Sequence, residues 1–132
     1  MIGYTTVGTN DLQRAMAFYD ALFGSVGIVR LLELPMLSAW GVNWNKPIFG
    51  VAKPFDGSPA TPGNGVMIAI GQRTREKVRT LHAKGLDLGA TDEGAPGVRG
   101  ADGSQAFYAA YIRDLDGNKL CFYSVGAGEE ES

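Results

Sequence analysis

The 132-residue chain contains one histidine, His82, and one cysteine, Cys121. Common protein sites for zinc and non-haem iron use two or more imidazoles, so a single chain cannot build a two-histidine iron site. A nucleophilic cysteine needs a nearby base or cation that lowers its pKa, and the residues beside Cys121 supply none. We therefore interpret Cys121 as an inert buried thiol and His82 as a surface or helix-packing residue. The sequence identifies no catalytic residue.

The composition indicates one globular domain spanning residues 1–132. Hydrophobic residues make up 45% of the chain, and 12 Lys and Arg against 14 Asp and Glu give a net charge of −2. This balance gives no reason to expect nucleic acid or an anionic membrane as a partner, and we interpret the basic run from Arg73 to Arg79 as a solvated helix face. No apolar run approaches the ~20 residues of a bilayer span. We expect a soluble, cytoplasmic protein.

The first half of the chain predicts a β-α-β-β-β unit. A short strand at Tyr4 to Gly8 precedes a helix capped by Asn10, with Gln13 at the capping-box partner position. An apolar stripe follows with helical spacing, and Gly24 is placed to end the helix. Three strands should then occupy about Gly27 to Leu34, Leu37 to Trp44 and Pro47 to Lys53.

The second half repeats this plan after a linker rich in Pro, Gly and Ser. A strand at Gly65 to Ile70 precedes a helix capped by Thr74 and closed by Gly85. We predict a long loop from Gly89 to Ser104 before the last two strands, Gln105 to Arg113 and Lys119 to Val125. The starts of the first strands and the ends of the helices repeat with an offset of 61 residues, which indicates an internal duplication. We predict an α+β fold of two tandem βαβββ modules: module 1 about 1–57, linker about 54–64, module 2 about 65–125, and a frayed acidic tail 126–132.

Two motifs resemble the vicinal oxygen chelate superfamily, which includes glyoxalase I, bleomycin-resistance proteins and extradiol dioxygenases. The first runs from Asn10 to Ala15 and on to Phe18-Tyr19; the second runs from Tyr111 to Leu120 and contains Asp114-Leu115-Asp116-Gly117-Asn118. The resemblance covers Met1 to about Val125. It implies a cupped mixed sheet with helices outside, a metal and substrate within the cup, and a homodimer whose modules can be exchanged between chains.

The four metal-ligand positions implied by the resemblance are all altered. They correspond to Tyr4, the region Phe49 to Val51, Gly65 and Cys121, where metal-using members carry histidines and carboxylates. One phenol and one thiol do not replace such a ligand shell. We therefore expect no metal and no other cofactor, and keep a divalent metal as the less favoured alternative.

Strand alternation and the resemblance together give the candidate ligand-binding residues. Residues on the face of the former ligand positions form an aromatic and soft lining without an inward charge. Trp40, which shares a face with Trp44 by parity, could cap the cup or fill a dimer interface, and Arg99 could meet an anionic group from a loop over its mouth. The candidates are Tyr4, Thr6, Trp40, Gly65, Met67, Arg99, Tyr111, Cys121 and Tyr123.

These residues favour a metal-free protein that encloses a small, partly aromatic or apolar molecule, as bleomycin-resistance proteins sequester a drug. The alternative is a lyase or dioxygenase-like enzyme of the glyoxalase type, which would use a divalent metal or Tyr4 or Tyr111 as an acid or base. A weaker alternative is an interaction module without a small-molecule ligand.

Overall fold

A computed structural model of the chain describes residues 1–126 in two βαβββ modules. The predicted tail therefore lies, apart from Gly126, outside the described residues. The elements of module 1 are β1 (Tyr4–Gly8), α1 (Leu12–Gly24), β2 (Val29–Glu33), β3 (Leu37–Gly41) and β4 (Ile48–Ala52). The elements of module 2 are β5 (Ile68–Gly71), α2 (Arg75–Asp87), β6 (Thr91–Arg99), β7 (Phe107–Arg113) and β8 (Lys119–Val125).

Each module forms a four-stranded mixed sheet. The strand order is β1-β4-β3-β2 in the first sheet and β5-β8-β7-β6 in the second. The first strand of each module pairs in parallel with the last, and the other pairs are antiparallel. The predicted α+β class and the duplicated plan are confirmed.

The duplication has a different offset from the one predicted. Leu12 and Arg75, which begin the two helices, and Gly24 and Asp87, which end them, are each 63 residues apart. The predicted offset of 61 was wrong because it took Gly65 as the start of a strand and Gly85 as the end of α2. Gly65 instead lies in the turn before β5, with a φ of 91° that favours glycine.

Alternating residues of each strand face the helices, and these form one core shared by both modules. Val7, Phe49 and Val51 supply this face in module 1, and Ile112 and Phe122 are among those that supply it in module 2. We call the opposite side of each sheet its open face, because the helices pack on the other side. In the described part of the chain, neither helix combines the length and apolar character needed to cross a bilayer.

Several local predictions are corrected at the helix ends. The N-cap of α1 is Asp11, whose side chain accepts a hydrogen bond from the Arg14 N–H at 3.0 Å. The Asn10 side chain instead exchanges two hydrogen bonds with the backbone of Ala60 in the linker, which anchors that segment. Thr74 caps α2 as predicted. Gly85 does not close α2, because the helix continues to Asp87.

The predicted loop from Gly89 to Ser104 contains a strand, β6, that pairs with β7 through two irregularities of register. Glycine and alanine carry little strand propensity, so the segment gains its conformation from backbone pairing with its neighbour. The interpretation of the basic run as wholly solvated was also wrong. Arg75 is buried, donates to Asp102 at 2.7 Å and lies over the ring of Tyr108.

The β7–β8 turn fastens module 2 to module 1. The buried Tyr19 hydroxyl of α1 donates to Asp114 Oδ2 at 2.5 Å, and Thr9 Oγ1 donates to Asp116 Oδ2 at 2.6 Å. Asn118 Nδ2 donates to the Gly8 carbonyl at 2.8 Å. The Asp-Leu-Asp-Gly-Asn motif thus forms a joint between the modules, in addition to forming a hairpin turn.

Candidate functional site

The open face of the second sheet brings four of the predicted site residues together. Tyr111 on β7 lies opposite Cys121 on β8, and Tyr123 lies opposite Ala109 two pairs further along. Arg99 ends β6 and reaches this face. Because residues two apart on a strand share a face, Phe107 and Lys119 also belong to it.

Tyr111 and Cys121 form a hydrogen-bonded pair. The phenol and thiol interact, and Cys121 is only 1% exposed. Burial raises the pKa of the Cys121 thiol, an effect that the bond from Tyr111 and the charges of Arg99 and Lys119 partly offset. Burial also raises the pKa of Tyr111. Both groups therefore stay protonated near neutral pH, and the phenol acts as a hydrogen-bond donor and not as a base.

A stacked aromatic pair lies beside them. The rings of Phe107 and Tyr123 have centroids 5.3 Å apart and an interplanar angle of 23°. A Cβ atom at Gly71 would lie 3.1 Å from the Tyr123 ring, so the glycine on β5 allows this ring to lie across the strand. The result is an aromatic surface on the side of the sheet that the helix does not cover.

Two cations border the Tyr111 ring. The Arg99 guanidinium carbon lies 5.6 Å from the ring centroid, and Lys119 Nζ lies 5.5 Å from it. The expectation that no charge points toward this face was wrong. Sequence reasoning missed Lys119 and Phe107, although the period of two that identified Cys121 and Tyr123 places Lys119 on their face and, from Tyr111, places Phe107 there as well.

Tyr4 and Thr6 lie on the open face of the first sheet, apart from the Tyr111 group. Tyr4 is 68% exposed, and among the described residues neither side chain has a hydrogen bond or ring contact with that group. Met67 directly precedes β5 and is partly exposed. Gly65 is exposed, and no atom lies within 4 Å of a Cβ built there. Within one chain, the predicted lining residues therefore lie on two separate surfaces, one on each sheet.

Trp40 is corrected. It lies on the helix-facing side of β3, 1% exposed, and its Nε1 donates to Asp20 at 2.9 Å. Its ring packs against Tyr19 and Phe23 in the core, so it does not lie on the open face with the other candidates. Trp44 follows β3 in a turn and is exposed; the two tryptophans do not share a strand.

A separate cavity of about 840 Å³ lies between the core of module 1 and strand β5. Phe23, Trp40 and Phe49 border it on one side and Ile68 and Ile70 on the other. It includes Met67 but none of the Tyr111 group. His82 lies elsewhere, buried on α2 with its Nε2 3.0 Å from Asp92 Oδ1, which fits a helix-packing role.

The open faces do not present a ligand set for a divalent metal. Thr6 and Ala69 are equivalent because they are 63 residues apart, the offset of the two helices. Thr6 pairs with Gly50 and Ala69 pairs with Cys121, so Gly50 and Cys121 are also equivalent in the duplicated modules. By the same repeat Met67, not Gly65, corresponds to Tyr4. A glycine, a thioether, a phenol and a protonated thiol do not fit the oxygen and imidazole shell of a hard cation. Across residues 1–126, no three His, Cys, Asp or Glu side chains converge as possible ligands.

Comparison with solved structures decides the family. A glyoxalase/bleomycin resistance protein from Albidiferax ferrireducens T118 is 36% identical, with a TM-score of 0.84, and the match covers 94% of this chain and 98% of that one. The chain belongs to the glyoxalase/bleomycin resistance family. The vicinal oxygen chelate resemblance is thereby confirmed. No protein-family model matches the chain, and no curated protein does.

Two further members of this fold are more distant. A glyoxalase-related enzyme from Fulvimarina pelagi is 18% identical, with a TM-score of 0.71 and coverage of 94% of this chain and 87% of that one. Lactoylglutathione lyase from Agrobacterium tumefaciens is 21% identical, with a TM-score of 0.65 and coverage of 94% and 92%. Both show the shared glyoxalase fold alone. Membership in the glyoxalase/bleomycin resistance family therefore establishes the architecture and leaves the chemistry to the residues of the open face.

Proposed function

We propose that this protein binds a small planar aromatic molecule on the open face of its second sheet, without a metal. The observation that carries the proposal is the aromatic surface formed by Phe107, Tyr111 and Tyr123, which lies opposite the helix-covered side. Stacking on an aromatic ring contributes about 0.5–1.5 kcal/mol beyond the burial of its area. The Tyr111 hydroxyl, whose proton is directed to Cys121, adds a hydrogen-bond acceptor that fixes orientation.

Binding by enclosure is favoured over catalysis by the protonation states on this face. Tyr111 and Cys121 both have raised pKa values, so neither supplies an anionic nucleophile or base at neutral pH. Lyase or dioxygenase chemistry through a metal would need ligands that the positions of Tyr4, Gly50, Met67 and Cys121 do not provide. Sequestration needs only shape, stacking and a few polar contacts.

The binding proposal is tested by titrating the protein with planar aromatic compounds and recording the aromatic NMR signals of its tyrosines. We expect the Tyr111 and Tyr123 signals to shift together, with weaker binding in Tyr123→Ala. Phe55→Ala is the matched control, because Phe55 is fully exposed and outside this face. A ligand at one hundred times its dissociation constant should add about 2.7 kcal/mol to the free energy of unfolding. Shifts confined to other residues would reject this site.

We further propose that a second copy of the chain completes the binding site. Large apolar side chains are exposed near the first strands of both modules, at Ile2, Tyr4, Val66 and Met67. Patches of this kind commonly mark contact surfaces. Light scattering coupled to size-exclusion chromatography should give twice the 14.0 kDa chain mass. A mass of one chain at 100 μM would reject the dimer and leave the aromatic surface solvated.

A further inference from the structure

The charged groups around Tyr111, namely Arg99 and Lys119, indicate the charge of the ligand. From them we infer that the bound molecule is an aromatic carboxylate, whose carboxylate group pairs with Arg99 and Lys119 while its ring stacks on the neighbouring pair of Phe107 and Tyr123. This inference rests on the proposed function, and it adds the charge and chemical class of the ligand.

Arg99 is held in place by the backbone of its own strand. Its Nη1 donates to the Gly97 carbonyl at 2.9 Å, and its Nη2 donates to the Ala95 carbonyl at 2.8 Å. These two bonds use only part of the five N–H donors of a guanidinium group. The side chain is therefore oriented beside Tyr111 before any ligand arrives, which lowers the entropic cost of binding.

Two glycines make room for this arrangement. A Cβ atom at Gly97 would lie 3.0 Å from Arg99 Nη1. A Cβ atom at Gly94 would lie 3.0 Å from the Tyr111 ring and 3.3 Å from Arg99 Nη2. A side chain at either position would force the guanidinium to shift from its present place. The bulged, glycine-rich course of β6 thus serves to hold Arg99 over the open face.

Neither cation has a carboxylate partner within residues 1–126. Arg14, Arg30, Arg75 and Arg113 all form ion pairs there, whereas Arg99 and Lys119 do not. The acidic side chain on the same part of the sheet, Glu93, is bonded to Arg113 Nε at 2.9 Å. Two unpaired cations thus converge on one ring in a chain whose net charge is −2.

A carboxylate complements the charge of Arg99 and Lys119 and the donor groups of the guanidinium. Arginine binds planar carboxylates through parallel N–H donors, and lysine adds a second positive charge from the other strand. The adjoining surface consists of aromatic rings, which favours a ligand whose anionic group is attached to a flat ring system. A small inorganic anion would leave the stacking surface of Phe107 and Tyr123 unused.

The test compares 1-naphthoate with 1-naphthamide, which has nearly the same shape and no charge. Dissociation constants are measured by isothermal titration calorimetry at low salt for the full chain and for Arg99→Met, Lys119→Met and Arg99→Lys. Arg73→Met and Lys53→Met are matched controls, since both residues are exposed and neither contacts the Tyr111 ring. Thermal unfolding of each variant confirms that it folds.

We expect the unaltered chain to bind naphthoate at least tenfold more tightly than the amide. Arg99→Met and Lys119→Met should each weaken naphthoate binding three- to tenfold and change amide binding less than twofold. Arg99→Lys should retain part of the affinity, the controls should match the unaltered chain, and added salt should weaken only naphthoate binding.

Three results would overturn the inference. Equal affinity for the acid and the amide would leave an aromatic site and remove the anionic preference. Equal losses for both ligands in the arginine and lysine variants would show that these cations only support the sheet. If neither compound binds below 5 mM, the proposed aromatic site itself fails, and the inference fails with it.

Discussion

The joint between the modules predicts a measurable loss of stability when one oxygen atom is removed. Tyr19→Phe keeps the ring in its cluster with Phe18, Phe23 and Phe49 and deletes only the hydroxyl that donates to Asp114. A buried hydrogen bond to a charged group contributes about 1.5–3 kcal/mol. The carboxylate keeps three other donors, from the Asp116 and Asn118 backbones and the Asn118 side chain, so it is not left unsatisfied.

We therefore expect the lower part of that range, a loss of about 1.5–2 kcal/mol in the free energy of unfolding. Urea denaturation at pH 7 measures it directly, and the melting temperature should fall by roughly 6–8 °C for a domain of this size. Tyr4→Phe is the control, since its ring is 68% exposed, and should change stability by less than about 0.5 kcal/mol. If Tyr19→Phe falls within the same margin, the joint is not a stabilising contact.

Three further perturbations follow from the same structure. Gly97→Ala should displace Arg99 and weaken naphthoate binding severalfold without changing amide binding, which the same calorimetry would reveal. Cys121 should react with 5,5′-dithiobis(2-nitrobenzoate) far more slowly than free cysteine at pH 8, and Tyr111→Ala should accelerate the reaction at least tenfold by uncovering the thiol; equal rates would show that Tyr111 does not shield it. The Arg30 guanidinium holds the pKa of Asp20 below its usual value. The stability that ionised Asp20 contributes is therefore present above pH ~4 and lost as the pH falls through that lowered pKa. The free energy of unfolding of Asp20→Asn should accordingly fall less steeply with decreasing pH than that of the unaltered chain, as measured by urea denaturation.

Much of the fold could be predicted because its signals are local. The apolar stripe of α1 and the capping threonine of α2 can each be identified from a short stretch of sequence. Strand β6 escaped prediction because its Gly-rich residues gain strand conformation from pairing with β7, which no local pattern encodes. The helix ends were misplaced for a similar reason: Asn10 meets a distant partner, Ala60, which only the folded chain brings near.

The candidate site was predicted in part. The period of two placed Cys121 and Tyr123 on one face, the family resemblance added Tyr111, and the strand register puts all three on the same face of the second sheet. The expectation that Trp40 and Trp44 share a strand face was wrong because β3 ends at Gly41, and Trp40 lies buried on the helix-facing side of that strand. Whether Tyr4 approaches the Tyr111 group depends on how sheets from different modules meet, and strand alternation contains nothing about that.

The separation of the two faces explains how the family fold persists beside an altered site. Leu120 and Phe122 face the shared core and are fully buried, whereas Cys121 between them faces the other side. Replacing Cys121 therefore leaves the helix-facing core packing intact. Because this side chain is only 1% exposed, a carboxylate or an imidazole at the same position would need a bound cation or a hydrogen-bond partner to offset its desolvation. The fold can then be retained while its ligand-binding groups change from metal ligands to rings and cations. We therefore infer the ligand class of this chain from Arg99, Lys119 and Tyr111, and not from the activity of any relative with the same architecture.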